Sequence, residues 1–231
     1  MSKKVTKVAL IGAGTMAEYH LKGFREAGAD IVGLVDSNPE KGSKFASKWE
    51  IAGGCHSTLE ALMKEHPEIQ AVSVITPNKF HHPQVMDALS RKLHVFCEKP
   101  PALNASQICE MANCAKKNRR VLMFNLNNRA RLDSRHIKDL IMSGEAGRIN
   151  SAQATWMRRT GIPGFGGWFT TKDISGGGCG RGRGCGKKQQ KSPCDVKRFC
   201  KKKLHRIFVR LEKTVSFFLS SPITTVRIDD F

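Results

Sequence analysis

A glycine turn stands where an apolar run gives way to a helical pattern, and it constrains the fold more than any other feature of the chain. Val8, Ala9, Leu10 and Ile11 are followed at once by Gly12-Ala13-Gly14-Thr15-Met16-Ala17. The first glycine permits a tight turn, the second lets an anionic group approach the backbone, and the small Ala17 allows close packing of helix on strand. A helix starting here offers free N–H groups and a partial positive charge, a seat for phosphates. Glycine turns of this kind are common, so the motif alone is weak. Its weight comes from Asp36, 22 residues after Gly14 at the end of the next apolar run. A carboxylate there can accept hydrogen bonds from both hydroxyls of a ribose. The combination predicts a dinucleotide site at Gly12, Gly14, Thr15, Met16, Asp36 and Ser37. Asp36 would repel a 2′-phosphate, and Ser37 after it is not the arginine that would welcome one. The pattern therefore favours NAD over NADP.

The first 125 residues alternate strand and helix signals. Apolar runs at 8–11, 31–35, 71–75, 93–97 and 121–124 predict strands; helical patterns cover 17–27, 39–48, 58–64, 83–90 and 104–117, the third capped by Ser57 or Thr58. Solid apolar strands separated by helices predict a parallel sheet covered on both faces. The fold class is α/β, a doubly wound sheet in the order 3-2-1-4-5-6. Ligands in such sheets bind beyond the carboxyl ends of the strands. Two further strand ends point there, Thr76-Pro77-Asn78 and Glu98-Lys99-Pro100. A lysine in that place can polarise a hydroxyl or carbonyl, with the proline setting its direction. The plain alternative is a surface lysine in a proline turn.

Beyond residue 125 the rhythm changes. A helix is predicted at 133–143, stopped by Gly144. Residues 150–156 alternate, with Ala152, Ala154 and Trp156 against Ser151, Gln153 and Thr155, the mark of a half-buried strand in another sheet. A loop rich in Gly, Trp and Phe runs from 160 to 178, and no internal repeat is visible.

The motifs taken together resemble the Gfo/Idh/MocA oxidoreductases: GAGTMA, the strand ending in Asp36, TPN followed by His81, HVFCEKP, and Gly144-Glu145-Ala146-Gly147-Arg148-Ile149. The resemblance covers about residues 5–178. It implies a Rossmann domain at 1–125 and, at 126–178, the start of an α+β substrate domain whose open sheet carries substrate and oligomer contacts. It implies NAD(P)-dependent oxidation or reduction of sugars, inositols and related polyols, and homo-oligomers for the intact fold. Carried over by motif, Lys99 is the catalytic lysine at the reacting hydroxyl. Glu98, Asn78 and His81, with Thr76 and Pro77, lie on the nicotinamide side, and Arg129 approaches the substrate. The family loop resembling residues 168–178 leads into a helix with the pattern Asp-x-Gly-x-His, which supplies a histidine for proton transfer. Here Gly178 is followed by Cys179-Gly180-Arg181-Gly182-Arg183-Gly184-Cys185 instead.

The chain has 231 residues and a formal net charge of +19. Its last 53 residues, 179–231, carry 14 of the 39 Lys and Arg but only 4 of the 20 Asp and Glu. They also hold Cys179, Cys185, Cys194 and Cys200, without a C-x-x-C pair, so no metal site is predicted. Arg-Gly-Arg-Gly and the lysine clusters can neutralise phosphates, which makes a nucleic-acid arm one reading, through this tail only. Val196, Phe199, Leu204, Ile207, Phe208 and Leu211 at helical spacing make a membrane- or partner-docking helix another. A frameshift, misplaced exon or gene fusion is a third, because the change begins in the middle of a family loop. On that reading the tail cannot complete the second domain, the strand at 150–156 lacks sheet partners, and the chain is a truncated enzyme whose turnover is in doubt. Binding of a dinucleotide without turnover is the competing function. No apolar run approaches the ~18 residues of a membrane helix, and the sparse cysteines point to a reducing cytoplasm.

Overall fold

The computed structural model describes residues 5–154, 167–168, 171–176, 214–219 and 224–227. Six parallel strands form one sheet: β1 (Lys7–Ile11), β2 (Asp30–Val35), β3 (Cys55–His56), β4 (Ala71–Val74), β5 (His94–Cys97) and β6 (Leu122–Phe124). Their order is β3-β2-β1-β4-β5-β6, the doubly wound arrangement predicted. The connecting helices are α1 (Ala17–Glu26), α2 (Pro39–Lys48), α3 (Leu59–Glu65), α4 (His81–Ser90) and α5 (Ala105–Asn118), with a 3-10 turn at Asn78–Phe80 ahead of α4.

The strands read as unbroken apolar runs because both faces are buried. Alternate side chains of β1 enter different cores. Val8 and Leu10 pack with Leu21, Ile31, Leu34 and Ile51, whereas Ala9 and Ile11 pack with Val72, Val74, Val85, Leu89 and Met111. Each fully buried aliphatic side chain contributes about 1.5–3 kcal/mol, so the central strands anchor everything at their carboxyl ends. β3 is the strand that the sequence conceals. Its two residues are too few to show a period, and only pairing with Leu34 and Val35 defines them.

The chain divides into two compact units, Met1–Asn125 with Gly164–Cys194, and Leu126–Pro163 with Asp195–Phe231. The first contains the parallel sheet and a short helix, α7 (Lys172–Ser175). In the second, a 3-10 turn (Asn127–Ala130) precedes α6 (Leu132–Ser143), which stops at Gly144 with φ +84°, the left-handed cap that glycine adopts without strain. β7 (Ile149–Ala154) follows and corrects one expectation. It does not lack partners: β8 (Thr214–Leu219) pairs with it antiparallel, and β9 (Thr224–Arg227) pairs with β8. The charge of the tail, averaged over 53 residues, hides a local run, Thr-Val-Ser-Phe-Phe-Leu, that is uncharged and rich in strand formers. The amphipathic helix predicted around 196–211 lies outside the described residues.

Candidate active site

The glycine turn is built as its spacing demands. Gly12 has φ +103°, and its N–H donates to the Val35 carbonyl at 2.7 Å. A Cβ on Gly12 would lie 3.0 Å from Thr76 Cγ2 and 3.2 Å from both the carbonyl carbon and oxygen of Ile75. Conformation and space both require glycine here, because β1 must deliver the chain over the end of β4. Ala17 is fully buried, and its N–H closes onto the Gly14 carbonyl at 2.9 Å. The helices α2, α3 and α5 are capped by the side chains of Asn38, Thr58 and Asn104. At α1 the cap residue Met16 makes no side-chain hydrogen bond. No capping side chain occupies the first turn of α1, as also at α4 and α6; the Ala17 and His20 N–H groups bond the Gly14 and Met16 carbonyls, and the N–H groups between them are of the kind a diphosphate complements. Thr15 and Met16 are exposed beside it.

Asp36 closes this end of the site. Its Oδ2 accepts the Ala13 N–H at 2.7 Å and its Oδ1 accepts the Asn38 N–H at 2.8 Å. The carboxylate therefore joins the glycine turn to the entry of α2. Each oxygen keeps a second acceptor position for a ribose hydroxyl. Ser37 is exposed next to it. The Gly12 cradle, the α1 terminus and a carboxylate at the end of β2 fit a dinucleotide.

At the end of β4, Thr76 Oγ1 donates to Gln84 Oε1, and Pro77 leads into the 3-10 turn. Asn78 is buried, and its Nδ2 donates to the Ser175 carbonyl at 2.7 Å, which ties the glycine-rich segment at α7 to this turn. His81, which the resemblance puts on the nicotinamide side, follows the turn. The residue is 0% exposed. Nδ1 lies 2.8 Å from the Pro100 carbonyl and Nε2 lies 2.7 Å from the Thr76 carbonyl. The ring thus lies between the β4 turn and the β5 turn.

At the end of β5, Glu98 is buried and Lys99 is exposed. Oε1 of Glu98 accepts from His20 Nε2 at 2.9 Å and from Asn125 Nδ2 at 2.7 Å, and its Oε2 accepts the Lys99 N–H at 2.9 Å. His20 Nδ1 lies 2.8 Å from Ser73 Oγ. Burial pushes the Glu98 carboxyl up, but the hydrogen bonds from His20, Asn125 and the Lys99 amide outweigh it and hold the group below the usual carboxylate range. Sequence reasoning missed His20, Ser73 and Asn125. The one legible hint was Ser73, a hydroxyl inside a run that is otherwise apolar. Arg129 is exposed in the 3-10 turn of the second unit. Among the described residues no group of three or more His, Cys, Asp or Glu can hold a metal, and no helix is long and apolar enough to cross a membrane.

Residues 6–126 match the model of an oxidoreductase family described by its NAD-binding Rossmann fold. A D-glucoside 3-dehydrogenase of Escherichia coli K12 is 33% identical over 180 residues, which are 77% of this chain and 50% of that protein. A 1,5-anhydro-D-fructose reductase of Ensifer adhaerens is 31% identical over 173 residues, 73% of this chain and 50% of that protein. Among solved structures, a levoglucosan dehydrogenase in complex with NADH and L-sorbose superposes with a TM-score of 0.65 at 25% identity, covering 75% of this chain and 48% of that one. The chain spans about half the length of the curated relatives it matches.

Proposed function

The chain belongs to the Gfo/Idh/MocA oxidoreductases, with their NAD-binding Rossmann domain, and from that membership we propose that it transfers a hydride between a nicotinamide and a carbinol carbon of a sugar or polyol. Relatives named for a glucoside and an anhydrofructose support this substrate class. NAD, when bound, supplies the hydride acceptor or donor. The chain's own residues do the rest. The α1 N-terminus and the glycine turn hold the diphosphate, and the Asp36 oxygens take the ribose hydroxyls. Lys99 donates a hydrogen bond to the substrate oxygen; in reduction it stabilises the negative charge that gathers there as the C–H bond forms and solvent supplies the proton that completes the hydroxyl, and in oxidation that proton leaves to solvent as hydride leaves the carbon. Glu98 and His81, neither facing substrate, hold the main chain on either side of Lys99.

The single observation that carries this reading is the Gly12 cradle with Asp36 at its rim, bonded to Ala13. Calorimetry with NADH and NADPH, followed by a dehydrogenase assay over a panel of sugars and polyols, tests it. Binding of NADH in preference to NADPH, with turnover of at least one sugar, supports it; failure to bind NADH overturns it. A second reading, binding without turnover, is favoured by one feature: the Asp-x-Gly-x-His pattern does not follow Gly178. NADH affinity with no turnover over the whole panel selects that reading.

A further inference from the structure

Two buried histidines lie to either side of the exposed lysine, each reaching it through one other group. We propose that His20 is a positioning residue for Lys99, acting through the Glu98 carboxylate. The proposal rests on the reading of Lys99 as the group at the substrate oxygen.

Residues from four segments far apart in sequence join in the network around this carboxylate. His20 comes from α1, Ser73 from β4, Glu98 from the end of β5 and Asn125 from the end of β6. The Ser73–His20–Glu98 distances, 2.8 and 2.9 Å, are those of a hydrolase triad. That role is closed because Ser73 is 0% exposed and no substrate can reach its hydroxyl. The protons instead balance as a static network. His20 Nε2 donates to Glu98, whose carboxylate can only accept, and Nδ1 shares a hydrogen bond with the Ser73 hydroxyl. Asn125 and the Lys99 amide complete the donors on Glu98. The His20 ring is also set against Phe96, with centroids 5.4 Å apart, so its plane is held by packing as well as by hydrogen bonds.

A buried carboxylate with every partner in place holds its neighbours in one geometry, while a partly satisfied one is costly. Glu98 Oε2 accepts the Lys99 N–H, and His81 Nδ1 lies 2.8 Å from the next carbonyl, that of Pro100. The main chain at Lys99 thus has a partner before and after the exposed side chain. Loss of His20 removes one donor from Glu98 and frees the carboxylate to turn away from the Lys99 amide.

The experiment uses the full chain without ligand. Lysines are labelled by reductive methylation with ¹³C-formaldehyde, the Lys99 signal is assigned by its loss in Lys99→Arg, and amide exchange at Lys99 is followed by NMR. His20→Phe keeps the ring but loses both polar atoms; His20→Gln keeps a donor near the Nε2 position. His20→Phe is expected to speed exchange of the Lys99 amide about tenfold or more and to move the Lys99 methyl signals, with the amide of Leu10 unchanged. His20→Gln is expected to hold both within about threefold of wild type. An unmoved Lys99 signal in a folded His20→Phe chain overturns the proposal, as does failure of the Gln variant to restore it. Where His20→Phe does not fold, Ser73→Ala decides: it removes one hydroxyl from the far side of His20, and no change at Lys99 overturns the proposal. Failure of the wild-type chain to bind NADH would count against the proposed function alone, because the Lys99 readout needs no ligand.

Discussion

Asp36 Oδ2 accepts the Ala13 N–H at 2.7 Å, so the carboxylate proposed to read the ribose also holds the glycine turn proposed to seat the diphosphate. One side chain links the two halves of the nucleotide site, and its loss should be felt at both.

Asp36→Ala is therefore expected to weaken NADH binding by roughly ten- to a hundredfold, the loss of hydrogen bonds to a charged group worth about 1.5–3 kcal/mol. Asp36→Asn keeps one oxygen to accept the Ala13 N–H and should lose less. Calorimetry on both variants checks the order. Equal affinity in wild type and Asp36→Ala would return the carboxylate to a purely structural role.

Gly12→Ala meets two penalties at once. The position has φ +103°, and the new Cβ would press on the Ile75 carbonyl, which belongs to the backbone and cannot swing aside. A positive φ on a non-glycine residue costs about 1–3 kcal/mol before any clash is counted. A lowered Tm together with lost NADH binding is expected. Gly14→Ala is the control: its Cβ would meet only the Ile75 oxygen at 3.7 Å, an ordinary contact. Its fold should survive, with any loss confined to affinity.

The parallel sheet was legible because burial on both faces leaves an unbroken apolar run at each central strand, as at Val72 and Val74 in β4. The glycine turn and the carboxylate bonded to it were legible because Gly12 and Asp36 stand at fixed distances along one strand–helix–strand unit. The polar network was not. Residues 20, 73, 98 and 125 meet only after the sheet is wound, and no spacing in the chain announces it. The burial of His81 was not legible either, because it depends on what α4 packs against. β8 escaped because a short uncharged run was averaged into a strongly basic tail.

Lys99→Ala should separate chemistry from folding. Lys99 is exposed and its side chain lies outside both cores. Turnover of a responsive sugar is expected to fall by about 10²–10⁴, the usual span for a positioned proton-handling group. Thermal unfolding should change by no more than about 0.5 kcal/mol, as for surface substitutions generally. Initial rates and Tm on the same preparation check both. Near-normal turnover would make Lys99 a surface lysine in a proline turn.

Glu98 gives the fold a pH dependence whose sign follows from its partners. Its carboxyl is held below the ordinary glutamate value of about 4.3. The unfolded chain therefore takes up this proton at a higher pH than the folded one does. The stabilisation is full above the unfolded value, shrinks as pH falls through it, and is gone below the folded value. Other carboxylates shift the same way, Glu18, Glu68 and Asp133 among them, so acid unfolding of the wild type alone does not isolate Glu98. The difference from Glu98→Gln does. The amide presents an NH₂ group toward donors from His20, Asn125 or Lys99, and at neutral pH the variant should be less stable by about 1–3 kcal/mol. As pH falls through the lowered folded value, the wild-type carboxyl is protonated too, and the two unfolding curves should converge. Denaturant titrations at a series of pH values measure the gap. A gap that stays constant down to the acid limit would show that Glu98 is not held as a carboxylate in the folded chain, and the network around His20 would then carry a proton rather than a charge.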